Sequence, residues 1–145
     1  MSVPLPTARA LRILLVEDDD DHAELTVHAL EQHDARHVVE RAADGAAALD
    51  LLFQTGGDAE RPDLVLLDLN LPRVSGLEVL EKIKGDEELR SIPVVVLTTS
   101  DAESDRVRAY HRHANSYLVK PVSFPKFEAM ILELGDYWAR WNRLP

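Results

Sequence analysis

The chain has 145 residues, 46% of them hydrophobic, with no cysteine and a formal net charge of −10. That length suits one domain around one core, the lack of cysteine excludes disulfides and thiolate chemistry, and no apolar run nears the roughly 20 residues of a membrane span. Acidity of this size repels nucleic acid and anionic lipid, and the proline-broken start has no apolar signal core. The expectation is a cytoplasmic protein with neither nucleic acid nor membrane as partner.

In chain order, residues 1–10 read as an N-terminal tail. Ile13, Leu14, Leu15 and Val16 form a short apolar run, followed by Glu17, Asp18, Asp19, Asp20 and Asp21. Continuous apolar runs of this length fit strands buried on both faces of a parallel sheet. Residues 22–30 have helical character, and the later acids, Asp20 and Asp21, suit the cap of that helix. Val38 and Val39 mark a second strand, the weakest of the set, and residues 45–53 a second helix. Residues 54–62, with Thr55, Gly56, Gly57 and Asp58, read as a surface loop. Leu64, Val65, Leu66 and Leu67 make the third strand. Ser75 is positioned to cap a helix carrying Leu77, Leu80 and Ile83, with Gly85 as its stop. Val94, Val95, Val96 and Leu97 form the fourth strand, residues 100–113 a polar helix, and Tyr117, Leu118 and Val119 the fifth strand. Ser123 opens the last helix, where Phe127, Met130, Ile131, Leu134, Trp138 and Trp141 recur at steps of three and four.

Strand and helix therefore alternate five times, which predicts an α/β doubly wound, five-stranded parallel sheet. Ligands of such sheets bind outside the carboxyl ends of the strands. There the sequence places Glu17, Asp18 and Asp19 after the first strand and Asp68 after the third. Thr98 and Thr99 follow the fourth, and Lys120 the fifth. Clustered carboxylates need a cation among them, and an oxygen-only donor set favours Mg²⁺. A lysine and a threonine on the same rim supply the point charge and the donor that a phosphoryl group needs. One carboxylate is then the nucleophile, and Asp68, ahead of a turn and a helix start, is the candidate.

These residues resemble a known family. Glu17 and Asp18, the turn with Asp68, Asn70, Pro72 and Gly76, then Thr98, Lys120 and Pro121 are similar to the receiver domains of two-component response regulators, over residues 10–134. The resemblance implies a flavodoxin-like sheet of order 2-1-3-4-5 in residues 11–134. It implies that Asp68 accepts a phosphoryl group from a sensor histidine kinase. Asp18 and Asp68 would hold Mg²⁺ by side chain, Asn70 by its backbone carbonyl and Glu17 through water in the outer shell. Lys120 would pair with the phosphoryl oxygens. Thr98 would bond one of them, and Tyr117 would swing inward as Thr98 moves. Asn70 and Ser100 occupy positions that tune the acyl phosphate's lifetime; neither is an acid or base, so slow to moderate decay is expected. The alternative is an aspartate-nucleophile phosphatase of haloacid-dehalogenase type, but Asn70 stands where that chemistry needs an acid.

Residues 135–145 extend beyond the domain as a C-terminal helix or arm. Residues 100–145 carry 6 acidic and 7 basic side chains, against 20 and 9 in residues 1–99. Two acidic chains would meet where repulsion is least, so Tyr137, Trp138, Trp141 and Leu144 are expected to be exposed and to form a homodimer interface. Residues 114–122, residues 134–138 and the ending with Trp141, Asn142, Leu144 and Pro145 resemble single-domain regulators paired with cyanobacterial and bacterial phytochromes. The resemblance implies a phytochrome-like kinase as partner. The six histidines show no paired ligand spacing, and each is expected to be solvated or to serve packing.

Overall fold

A computed structural model of the chain describes residues 5–54 and 61–145. Strands β1 (Arg12–Val16), β2 (Val38–Ala42), β3 (Leu64–Leu67), β4 (Val94–Thr98) and β5 (Ser116–Val119) form one parallel sheet in the order β2-β1-β3-β4-β5. The connecting helices are α1 (Asp20–His33), α2 (Gly45–Gln54), α3 (Gly76–Gly85), α4 (Glu103–His111) and α5 (Phe124–Asp136), and a π-helical turn, Tyr137–Trp141, continues the last. The predicted fold and order are those observed. The loop read at 54–62 falls, apart from its ends, outside the described residues.

Two cores flank the sheet because successive strand residues face opposite ways. Leu14, Val16, Val65, Leu67, Val94 and Val96 pack with Leu52, Val79, Leu80, Ile83 and Ala109 of α2 to α4. Ile13, Leu15, Leu64, Leu66, Val95 and Leu97 pack with Ala29 and Leu30 of α1 and Phe127, Ile131 and Leu134 of α5. Burial on both faces explains the unbroken apolar runs of β1, β3 and β4. Strand β2 is an edge, buried at only one of its five residues, which is why its sequence, VVERA, reads weakly.

Several local expectations shift. The cap of α1 is Asp19, not Asp20 or Asp21: its Oδ1 accepts the backbone N–H groups of Asp21 at 2.9 Å and His22 at 3.0 Å. Asp20 and Asp21 occupy the first turn, where negative charge still favours the helix N-terminus. Ser75 caps α3 as expected, accepting from the Glu78 N–H at 3.2 Å. Gly85 is not a left-handed stop; no described glycine has positive φ, and Asp86 follows α3 in extended conformation.

The largest correction concerns the tail. Trp138 is only 8% exposed and belongs to the α1/α5 core, so the single chain absorbs it, and Leu144 packs partly against the same core. Tyr137 and Trp141 remain 53% and 52% exposed. The π turn, closed by the Asn142 N–H on the Tyr137 carbonyl at 2.8 Å, turns less per residue than an α-helix and carries Trp141 off the core-facing stripe. The extension also clasps the N-terminal segment: the Arg9 N–H reaches the Ala139 carbonyl at 3.0 Å, and Arg140 Nη1 donates to the Pro6 carbonyl at 2.7 Å.

Beneath that clasp lies a chain of histidines. The Leu11 N–H donates to His37 Nδ1 at 2.9 Å, so the His37 proton sits on Nε2 and faces His33 Nδ1 at 3.0 Å. His33 Nε2 in turn faces Asp136 at 3.5 Å. Burial holds the His37 ring below its ordinary value of 6.5, against the nearby Asp34 and with His33 and Arg36 on its side. The unfolded chain therefore binds more protons below that value, and His37 contributes stability above it that is lost as the pH falls. Denaturation midpoints followed from pH 7.5 downward should drop on the acid side, and His37→Phe should flatten that part of the profile. An unchanged slope would assign it to other groups.

Candidate phosphoryl and cation site at the carboxyl edge of the sheet

Each functional side chain sits where a strand ends. Strand β1 delivers Glu17 and Asp18, β3 delivers Asp68, β4 ends on Thr98, and β5 is followed by Lys120. Glu17, Asp68, Thr98 and Lys120 are all buried, at 2%, 6%, 0% and 4% exposure, whereas Asp18 is exposed. Parallel pairing sets their relation: the Asp68 N–H donates to the Val16 carbonyl at 3.0 Å and the Lys120 N–H to the Thr98 carbonyl at 2.7 Å.

Asp68 is held at both oxygens, Oδ1 accepting the Asn70 N–H at 3.0 Å and Oδ2 accepting Lys120 Nζ at 2.9 Å. Lys120 also pairs with Glu17 Oε1, and its third neighbour is His22 Nδ1 at 3.0 Å. Glu17, Asp18 and Asp68 each offer a carboxylate oxygen within 4.8 Å of the others. Such a hard, oxygen-only set, part buried and part open to solvent, fits a divalent cation that keeps some of its waters. Burial pushes the Glu17 carboxyl up to about 7. Pairing with Lys120 opposes that shift and the Asp68 charge adds to it, which is the strain a cation would relieve.

The β3–α3 connection is closed by contact with a glycine. The Gly76 N–H donates to the Leu69 carbonyl at 3.0 Å, and a Cβ on Gly76 would lie 2.2 Å from the Asp68 carbonyl oxygen and 2.5 Å from Leu69 Cα. Backbone must give way there. Gly76→Ala should destabilise the fold by about 2–3 kcal/mol in urea titrations and lower phosphorylation by displacing Asp68. Native stability in that variant would mean that α3 shifts freely against Asp68.

Thr98, Ser100 and Tyr117 are linked at the other side of the rim. Ser100 donates its N–H to Thr98 Oγ1 at 3.3 Å and its hydroxyl to Asp105 at 2.5 Å. The Tyr117 hydroxyl donates to the Ser100 carbonyl at 2.9 Å, with the ring half-buried against the α2–α4 core. Asn70 is exposed and meets Asp68 through its backbone N–H. His22 is the residue that sequence reasoning missed. Its place in the first turn of α1, directly above the end of β1, is the signal that could have found it.

A response regulator receiver domain model matches residues 13–132. The chain belongs to that family. Among its relatives, the probable methanogenesis regulatory protein FilR2 of Methanothrix harundinacea is 51% identical over 92% of this chain and 86% of its own length. Response regulator Rcp1 of Synechocystis is 40% identical over 92% of each chain, and the solved Mn²⁺-bound form of Rcp1 superposes with a TM-score of 0.86 over 93% of this chain and 99% of that one. The phosphorylated cyanobacterial phytochrome response regulator RcpA gives a TM-score of 0.89 at 39% identity, over 94% and 99% of the two chains. The receiver is thus a two-component signalling protein, and a phosphatase of haloacid-dehalogenase type is left without support. No helix among its described residues is long and apolar enough to cross a membrane.

Proposed function

We propose that this receiver accepts a phosphoryl group on Asp68 from a phytochrome-like sensor histidine kinase in the cytoplasm, and passes the signal on by protein contact. The observation that carries the reading is the Asp68 carboxylate, fixed at 2.9 Å from a buried lysine and beside two further acids. An Asp68 oxygen attacks the phosphorus of the donor phosphohistidine. The O–P bond forms as the N–P bond breaks, and the electron pair returns to the donor imidazole. Lys120 moves its charge from carboxylate to phosphoryl oxygen, and Thr98 donates its hydroxyl to another. Asp18 and Asp68 would hold Mg²⁺ by side chain, Asn70 by its backbone carbonyl and Glu17 through water, and the cation supplies charge neutralisation for the incoming phosphoryl group.

Thr98 and Tyr117 form the switch, since Ser100 already joins them: a Thr98 drawn toward the phosphoryl group shifts Ser100, and with it the carbonyl that holds Tyr117. Neither Asn70 nor Ser100 is an acid or base that would activate water, so decay of the acyl phosphate is slow to moderate. Tyr137 and Trp141, exposed on the near-neutral part of the chain, form the homodimer contact together with the rim of Leu144.

Phosphotransfer from an autophosphorylated phytochrome kinase, with and without Mg²⁺, tests the reading. Rapid Mg²⁺-dependent transfer is expected. Transfer only from kinases of another sensor class would keep the phosphoacceptor and overturn the phytochrome assignment.

A further inference from the structure

The Lys120 ammonium has three N–H donors, and with its side chain only 1% exposed they are met among the described residues by three protein neighbours. Glu17 and Asp68 take two. The third lies 3.0 Å from His22 Nδ1, on a side chain that is 23% exposed and forms the solvent-facing wall. Because an ammonium only donates, His22 Nδ1 must present its lone pair and carry the ring proton on Nε2.

The ring is also held from two other directions. Phe127 lies against it at a centroid distance of 5.6 Å, and Phe124 meets it edge-on at 6.3 Å. The His22 backbone is fixed by the Asp19 cap. The acidic run therefore does two jobs: Glu17 reaches into the site, while Asp19 aims the turn from which His22 closes it.

We infer that His22 is a positioning residue for Lys120: its imidazole takes the third ammonium proton and so keeps the other two directed at Glu17 and at Asp68 or its phosphoryl group. This rests on the phosphoacceptor reading above. Without that acceptor, one N–H of a buried ammonium has no partner, and the side chain turns toward whatever acceptor or water it can find.

Two variants separate the acceptor from the shape. His22→Phe keeps a ring and removes the lone pair; His22→Asn removes the ring and returns an oxygen at the position of Nδ1. With Mg²⁺ and a small acyl phosphate, the phosphorylation rate constant should fall about fivefold or more in His22→Phe and stay within about twofold of wild type in His22→Asn. The Lys120 ¹⁵Nζ resonance, slow to exchange in wild type and in His22→Asn, should be lost to exchange in His22→Phe. Equal rates in all three proteins, equal impairment of both variants, or impairment of His22→Asn alone would overturn the inference. Asp68→Asn serves as the control. If wild type itself takes no label, the phosphoacceptor reading fails, and the ¹⁵Nζ signal still decides whether His22 holds Lys120.

Discussion

Asp68→Asn is expected to abolish labelling of the receiver by small acyl phosphates and by any kinase, to below about one part in a thousand of the wild-type rate. The amide has the shape of the carboxylate and can still accept the Asn70 N–H that now meets Oδ1 at 3.0 Å. It has no anionic oxygen with which to attack phosphorus. The fold should persist, because removing one charge from a cluster of three acids relieves repulsion; the Asp68 charge is one of the influences that now raise the Glu17 carboxyl. Intact-mass measurement after incubation with phosphodonor and Mg²⁺ reads the result directly. Comparable label on the variant would place the acceptor elsewhere, first at Glu17, the other buried carboxylate that Lys120 contacts.

Trp138→Ala should cost about 3–5 kcal/mol in urea or thermal unfolding. The indole is 8% exposed in a core shared with Leu30, Phe127, Ile131 and Leu134, and its loss opens a cavity where α1, α5 and the N-terminal segment meet. Trp141→Ala, three residues on, should change stability by less than about 1 kcal/mol because half the side chain already faces solvent. The same substitution, combined with Tyr137→Ala, should weaken self-association in sedimentation experiments. A stability loss at Trp141 equal to that at Trp138 would contradict the geometry of the π turn. An unchanged dimer in the double variant would remove the tail from the interface.

How far the sequence speaks for itself depends on which interactions are local. Strands β1, β3 and β4 are legible because burial on both faces confines their polar positions to an end, Arg12 in β1 and Thr98 in β4; β2 is faint because an edge strand needs only Ala42 fully buried. Glu17, Asp68, Thr98 and Lys120 are legible because the rule that parallel sheets bind at their carboxyl ends turns strand endings into a site. His22 is far less so, since its partner lies 98 residues away and its place in the first turn of α1 is the one local sign of it. Trp138 is an instructive middle case. It continues the stripe of Phe127, Ile131 and Leu134 at helical steps, which points to the core. Trp141 continues the same stripe in sequence, and only the extra residue per turn after Asp136 throws it outward. Local pattern alone cannot separate the two indoles.

The clasp between Arg9 and Ala139 has a consequence for the nascent chain. The face of the sheet under α2 to α4 is roofed as each crossover helix is made, but the opposite face needs α5 and Trp138, near the far end of the sequence. About 130 residues separate the two halves of the clasp, so at ribosomal speed roughly 6–26 s pass between their synthesis. From their own synthesis until α5 is made, Leu64, Leu66, Val95 and Leu97 have only α1 to cover them. That apolar strip is where a chaperone on the ribosome would find this protein, and where crowded or hurried expression would first show as aggregation.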